Sequence, residues 1–307
     1  MKIALLNRLK QGDVLVADGA MGTMLFEQGL SAGDCPESYN LSHPEILEKI
    51  ASQYLESGAD IIQTNTFGAS RIKLAQYHLE MQLEEMIRAA VSCVRKAVGV
   101  RAYVSASCGP SGEMLLPYGS VTEEAMYENY REQMSIFIGA GIDVICIETM
   151  TDLNEAALAV RAAKSVSPDT PVMATMTFDK IPKGYYTIMG VSVEQAVKGL
   201  TEAGADIIGS NCGHGIDNMI DIAQQLRSYS DKPILIQANA GLPLLENGRL
   251  VYPESPSYFS DRIGQLIEAG ASIIGGCCGT TPEHIRAIRQ IVDTKSMSHR
   301  ESKANEK

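Results

Sequence analysis

The sequence predicts a single-domain α/β fold, a (β/α)8 TIM barrel, and three observations predict it. First, one pattern recurs four times: Ser57-Gly58-Ala59-Asp60-Ile61-Ile62, Ala140-Gly141-Ile142-Asp143-Val144-Ile145, Ala203-Gly204-Ala205-Asp206-Ile207-Ile208 and Ala269-Gly270-Ala271-Ser272-Ile273-Ile274. Each copy reads as a helix ending on a glycine, a tight turn and a short buried strand. Second, four further apolar strands fall between the copies, giving eight that alternate with helical patterns, as parallel pairing with crossover helices requires. Third, polar residues and glycines crowd the strand ends, where a barrel carries its functional groups. A doubly wound open sheet is disfavoured because no Gly-x-Gly-x-x-Gly follows the first strand.

In chain order, the first strand, Val14 to Gly19, ends in Asp18-Gly19-Ala20-Met21-Gly22. Ser42-His43-Pro44-Glu45 fits a capping box ahead of Ile46-Leu47 and Ile50-Ala51. The second strand ends in Thr64-Asn65-Thr66-Phe67-Gly68, and the third, Ala102 to Ala106, in Ser107-Cys108-Gly109-Pro110. A long amphipathic segment with Glu123, Glu124, Tyr127, Tyr130 and Met134 follows. The fourth strand gives Glu148-Thr149, the fifth (Val172 to Met176) Thr177-Phe178-Asp179, and the sixth Ser210-Asn211-Cys212-Gly213-His214. The seventh, Ile234 to Ala238, gives Asn239-Ala240-Gly241. The eighth gives Gly275-Gly276-Cys277-Cys278-Gly279, after which Thr280 or Thr281 can cap a helix with Pro282 in its first turn. The barrel is expected over residues 1–293, and the charged stretch 294–307 is expected to be a disordered tail.

Composition narrows the function. The 307 residues are 45% hydrophobic and 21% charged, an ordinary globular balance. A formal net charge of -11 argues against a nucleic-acid partner and against an anionic membrane surface. No apolar run approaches transmembrane length, and the Met1–Asn7 stretch is too short for a signal peptide. A reducing cytoplasm is therefore expected. Seven cysteines, an odd number, suit metal binding or catalysis better than a disulfide framework.

Cys212, Cys277 and Cys278 would meet at one rim of the barrel, since strands six and eight lie one strand apart. Adjacent cysteines in a regular strand point to opposite faces, so Gly275, Gly276 and Gly279 are expected to free the backbone there. Three thiolates with an open fourth position describe a catalytic zinc site, and soft sulfur selects zinc or copper(I). His214 is a candidate fourth ligand, ranked below Asn239 or water. The competing readings are a redox dithiol, which lacks the Cys-x-x-Cys spacing, and cysteines buried as small apolar residues.

The segment Gly275-Gly276-Cys277-Cys278-Gly279-Thr280-Thr281-Pro282-Glu283-His284-Ile285 resembles the terminal motif of the homocysteine S-methyltransferase family. So do Asp18-Gly19-Ala20-Met21-Gly22-Thr23, Thr64-Asn65-Thr66-Phe67-Gly68-Ala69, Gly109-Pro110-Ser111-Gly112-Glu113 and Asn211-Cys212. The resemblance runs from about residue 10 to 293 and is greatest to the homocysteine-binding module of cobalamin-dependent methionine synthase, standing without that enzyme's other modules. It implies zinc held by Cys212, Cys277 and Cys278, with Asn239 able to occupy the fourth position before substrate arrives. It implies that Asp18 and Glu148 hold the homocysteine amino group, with Gly19 and Thr66 beside the substrate. The implied reaction is methylation of homocysteine to methionine, the methyl group coming from methylcobalamin on a separate corrinoid protein. S-methylmethionine, S-adenosylmethionine or betaine are alternative donors, and a non-catalytic thiol-binding or regulatory subunit is a further alternative. Two departures stand out: Ala238 replaces the family's usual Pro before Asn239, and Thr149 replaces the Tyr of the betaine-using branch, which argues against that branch.

Overall fold

The computed structural model describes residues 3–246 and 249–305. Eight parallel strands form one sheet: Leu15–Val16, Ile61–Gln63, Tyr103–Cys108, Val144–Met150, Val172–Met176, Ile207–Asn211, Ile234–Ala238 and Ala271–Gly276. They are numbered one to eight below. Strand one pairs with strand eight through Leu15 opposite Ile273 and Val16 opposite Ile274. A bridge from Ala17 to Ile61, with the Asp18 N–H donating to the Ile61 carbonyl at 3.0 Å, joins strand one to strand two and closes the ring. Helices cover the outside, so the expected (β/α)8 barrel is the fold. Among the described residues no helix is long and apolar enough to cross a membrane.

The recurrent motif has a concrete job. Its glycines Gly58, Gly141, Gly204 and Gly270 all take positive φ, between 85° and 107°, where a side chain would be strained. The aspartate that follows in three copies then makes a reciprocal pair with the preceding strand. Asp60 donates its N–H to the Val16 carbonyl (2.7 Å) and accepts the Val16 N–H on its carboxylate (2.9 Å). Asp143 does the same with Val104, and Asp206 with Val172. Each carboxylate also meets a cation: Arg8 and Arg289 on Asp60, Arg95 on Asp143, Lys164 on Asp206. These staples fix the register of strands one and two, three and four, and five and six at the barrel's N-terminal end.

Inside the barrel the lowest layer is apolar. Leu15, Ala17, Ile61, Tyr103, Val144, Cys146, Met173, Ile207, Leu235 and Ile273 form one buried cluster, closed from below by Leu5 of the helix Leu5–Lys10. Two residues further along strands two, three, five and seven the interior turns polar, with Gln63, Ser105, Thr175 and Gln237. The period of two along a strand places these on the same inward face as the apolar residues before them.

Three local expectations change. Ser42 does not cap the helix Pro44–Glu56; it ends the preceding helix Tyr39–Ser42, and its hydroxyl turns back to the Ser38 carbonyl at 3.0 Å. The last helix runs from Pro282 to Asn305 and takes in most of the stretch expected as a disordered tail; no Gly or Pro interrupts it, and Lys, Arg, Glu and Ala there are good helix formers. Two hairpins not foreseen, Asp179–Ile181 with Gly184–Tyr186 and Leu244–Glu246 with Arg249–Val251, follow strands five and seven.

Replacing Asp60 by Ala would leave two guanidinium groups without their shared carboxylate and the Val16 N–H without its acceptor. A loss of about 2–4 kcal/mol is expected in chemical denaturation, whereas Asp60→Asn, which keeps an acceptor, should lose less.

Candidate functional site

The C-terminal ends of strands six, seven and eight build the sulfur cluster. Strand seven is the spacer between them. The Cys212 N–H donates to the Gln237 carbonyl (3.1 Å) on one side of it, and the Cys277 N–H to the Ala238 carbonyl (2.7 Å) on the other. Cys212 has φ +60°, a left-handed conformation that costs a non-glycine residue about 1–2 kcal/mol. Cys277 opens a turn whose first carbonyl accepts the Thr280 N–H at 3.1 Å, with Gly279 at its third position and φ +78°. That position demands glycine in a type II turn. The turn folds Cys278 back toward its neighbour, and the three sulfurs lie within 4.8 Å of one another.

The glycines before the pair serve closeness rather than backbone freedom. A Cβ on Gly276 would come within 2.1 Å of Thr280 Oγ1, and one on Gly275 within 2.8 Å of the Asp18 carbonyl. Only Gly279 of the three has positive φ. Thr281 stands just before the last helix, with its N–H donating to His284 Nδ1 and its hydroxyl 3.1 Å from the same nitrogen, while the Thr280 hydroxyl donates to the Cys277 carbonyl and accepts the Ala20 N–H.

Three thiols this close share charge. Interactions with Cys277 and Cys278 hold Cys212 far below the ordinary thiol range, and those with Cys212 and Cys278 push Cys277 up. Asn239 lies beside this cluster, helping to lower Cys212, and its Oδ1 is buried with no partner. His214 turns elsewhere: its Nε2 accepts the Lys180 N–H of the first hairpin at 3.1 Å.

Two buried carboxylates lie in the same barrel end. Asp18, 1% exposed, accepts the Gln63 N–H on Oδ2 at 2.8 Å and leaves Oδ1 without a partner. Glu148 accepts the Ser107 hydroxyl on Oε1. Among the described residues neither has a Lys or Arg beside it. Burial pushes Asp18 up to about 8, with Glu148 adding to the rise, and pushes Glu148 up to about 7. A group bearing positive charge is what this environment lacks.

Asn211, fully buried, links the two halves. Its Oδ1 accepts the Thr149 N–H (2.7 Å) and the Thr175 hydroxyl (2.6 Å), holding Thr149 at φ +59°. Its Nδ2 donates to the Thr149 hydroxyl at 2.8 Å, and lies 3.5 Å from Glu148 Oε2 and 3.9 Å from Cys277 Sγ. One amide therefore spans the distance between carboxylate and sulfur.

A cavity of about 1050 Å³ opens over this ground, lined by Gly19, Gln63, Thr64, Glu148, Cys212, Gln237, Cys277 and Cys278 below and by Phe26, Phe67, Leu250 and Tyr252 toward its mouth. Gly19 packs so tightly that a Cβ would lie 2.7 Å from Thr280 Oγ1. Thr66 stands behind the wall, its hydroxyl given to the Ser107 carbonyl and paired with that of Thr64, which lines the cavity in its place. Sequence reasoning assigned no role to Asn211, Ser107, Gln63 or Gln237. For the first two, position at a strand end was the available signal.

The barrel thus gathers three thiols and two carboxyls without a neighbouring cation at one end. The family model described as homocysteine S-methyltransferase matches residues 15–292, and the chain belongs to that family. It is 31% identical to the methionine synthase of Mycobacterium leprae (strain TN) and 32% to that of Mycobacterium tuberculosis (strain ATCC 25618 / H37Rv). Each match covers 91% of this chain but 24% of the relative, so the chain spans about a quarter of those proteins' length. Among solved structures, the metallated form of the homocysteine methyltransferase MmuM from Escherichia coli superposes with a TM-score of 0.77 at 23% identity, over 93% of this chain and 99% of that one. A methyltransferase from Methanosarcina mazei gives 0.59 at 12% identity, over 92% and 94%. Both share the fold.

Because both carboxyl values are raised, the folded chain without metal or substrate keeps protons that the unfolded chain has lost. The stability this contributes is present below the ordinary carboxyl range, at about pH 4, and is lost as pH rises through about 7 to 8. Asp18→Asn should thus stabilise the metal-free protein at pH 8.5 by roughly 2 kcal/mol, with the gain fading toward pH 4. Melting curves across that range check it.

Proposed function

We propose that this chain is a zinc-dependent methyltransferase that converts homocysteine to methionine, taking the methyl group from a separate methyl-corrinoid protein. The observation that carries the reading is the adjacency of a three-sulfur cluster to two buried carboxylates without cations. Cys212, Cys277 and Cys278 fit zinc by donor type and by closeness. The unpartnered Oδ1 of Asn239 fits a fourth ligand that substrate sulfur would replace. Bound zinc would supply the Lewis acidity that favours an ionised substrate sulfur at neutral pH.

The chain's own residues then position the substrate. Asp18 and Glu148 receive the ammonium group, and its charge lets both carboxyls release their protons. Asn211 fixes the span between amine and sulfur. With the substrate held at both ends, its sulfur is presented toward the cavity mouth. A new sulfur–carbon bond forms there as the methyl–donor bond breaks, the bonding electron pair leaving with the donor.

A protein donor is supported by where the exposed apolar side chains lie. Phe26, Phe67, Met114, Leu116, Tyr118, Ile188, Met189, Leu242, Leu244, Leu245, Leu250 and Val251 stand in the segments that follow the barrel strands, at the same end as the cavity. Clustered exposed apolar surface marks a partner-binding face. A second reading, a small sulfonium donor, is favoured by a different observation: Phe26, Phe67, Tyr252, Glu27 and Glu37 line the cavity, and no Lys or Arg is among its described lining residues. The unpaired thiols suit a reducing compartment, and we place the protein in the cytoplasm.

Two measurements test this. Wild-type protein should hold about one zinc per chain and Cys277→Ala should hold far less; equal contents would rule the sulfur cluster out as the metal site. In a donor panel, methylcobalamin should support methionine formation and S-methylmethionine should not; the reverse result would replace the corrinoid partner with the small donor.

A further inference from the structure

We propose that Gln237 is a third contact to the substrate's ammonium group, so that this barrel selects thiols carrying an amine. The assignment rests on the homocysteine reading above. An ammonium has three N–H donors and no acceptor, and burying it requires three acceptors. Asp18 Oδ1 and Glu148 supply two. The third is missing from every role given so far.

Gln237 lies on strand seven, is 2% exposed, and lines the same cavity as Glu148 and the three cysteines. Its Oε1 is buried and has no hydrogen-bond partner. A buried amide carbonyl left unmatched is rare in folded proteins and points to a group that arrives later. Its neighbours show which group. In register on one side is Asn211, whose own amide is committed to Thr149 and Thr175. On the other is Gly275, which has no side chain and packs directly against Ala17 and the Asp18 carbonyl. Strand eight therefore places no side chain between Gln237 on strand seven and Asp18 on strand one.

Both flanking acceptors, Asp18 Oδ1 and Gln237 Oε1, lack donors. Asn239 Oδ1, also without a partner, belongs to the sulfur cluster, and the unpartnered Ser105 and Ser210 Oγ atoms are hydroxyls that can donate as well as accept. A donor-only group fits between two orphan acceptors and a carboxylate. A carboxylate group of the substrate, which only accepts, does not.

The test uses zinc-loaded protein and calorimetric dissociation constants for three thiols: homocysteine, 4-mercaptobutanoate (no amine) and 3-aminopropane-1-thiol (no carboxylate). Gln237→Leu should weaken homocysteine and 3-aminopropane-1-thiol by about tenfold or more and leave 4-mercaptobutanoate unchanged. Unchanged affinity for 4-mercaptobutanoate, with unchanged zinc content, also shows that the variant is folded. Gln237→Glu, which keeps an acceptor, should retain the preference for amine-bearing thiols. An equal loss for all three ligands, or a loss confined to those bearing a carboxylate, overturns the assignment while homocysteine binding by the wild type stands. Wild-type protein that binds none of the three overturns the homocysteine reading, and the role of Gln237 with it.

Discussion

Two backbone hydrogen bonds to strand seven are the constraint on which the site depends. They run from Cys212 to the Gln237 carbonyl and from Cys277 to the Ala238 carbonyl. Strands six and eight are not neighbours, so their sulfurs can meet only if the strand between them ends at the right height and both flanking chains bend over it. The bend is achieved on one side by a left-handed Cys212 and on the other by the turn through Gly279. The Cys212 conformation is unfavourable alone, whereas Gly279 takes its own without steric cost. The carbonyls of strand seven hold both, and the Asn239 N–H, bonded to His214, ties the loop after strand six to the same strand.

The second organising fact is the change in the barrel's interior from apolar to polar within one layer. Below, the side chains from Leu15 round to Ile273 pack against one another. Above, Gln63, Ser105, Thr175 and Gln237 give way to Asp18, Glu148 and Asn211, all buried. Desolvation is what makes these carboxyls unusual: the same Asp18 and Glu148 on an open surface would be ordinary anions with no need of a partner. Asn211 converts that electrostatic demand into geometry, since a single side chain touches the strained Thr149, the carboxylate and a sulfur.

Much of this was legible in the sequence, because the strongest signals are local. The glycine-aspartate repeats mark strand starts through backbone geometry, and the polar clusters after each apolar run mark strand ends. Cys212, Cys277 and Cys278 followed from counting strands. What escaped is what depends on tertiary context. Gln63 and Gln237 sit inside strands, where a period-two pattern registers them only as interruptions. The Asn211 side chain is defined by four residues, Glu148, Thr149, Thr175 and Cys277, in or just after three other strands. Ser42 satisfied a capping pattern but was already inside a helical turn. Gly275 and Gly276 read as hinges, whereas the neighbours that forbid a side chain there, Asp18 and Thr280, are 257 positions before and four positions after. The second hairpin did have a signal, the Asn247-Gly248 pair in the sequence between its arms.

The short helix Leu5–Lys10 has a consequence well away from its own position. Leu5 packs under the apolar layer and closes it from the N-terminal side, so the polar chamber opens toward the other end of the barrel. Anything that reaches the sulfurs or the buried carboxyls comes in past Phe26, Phe67, Leu250 and Tyr252. A six-residue helix at one end of the barrel thus sets the direction of approach at the other.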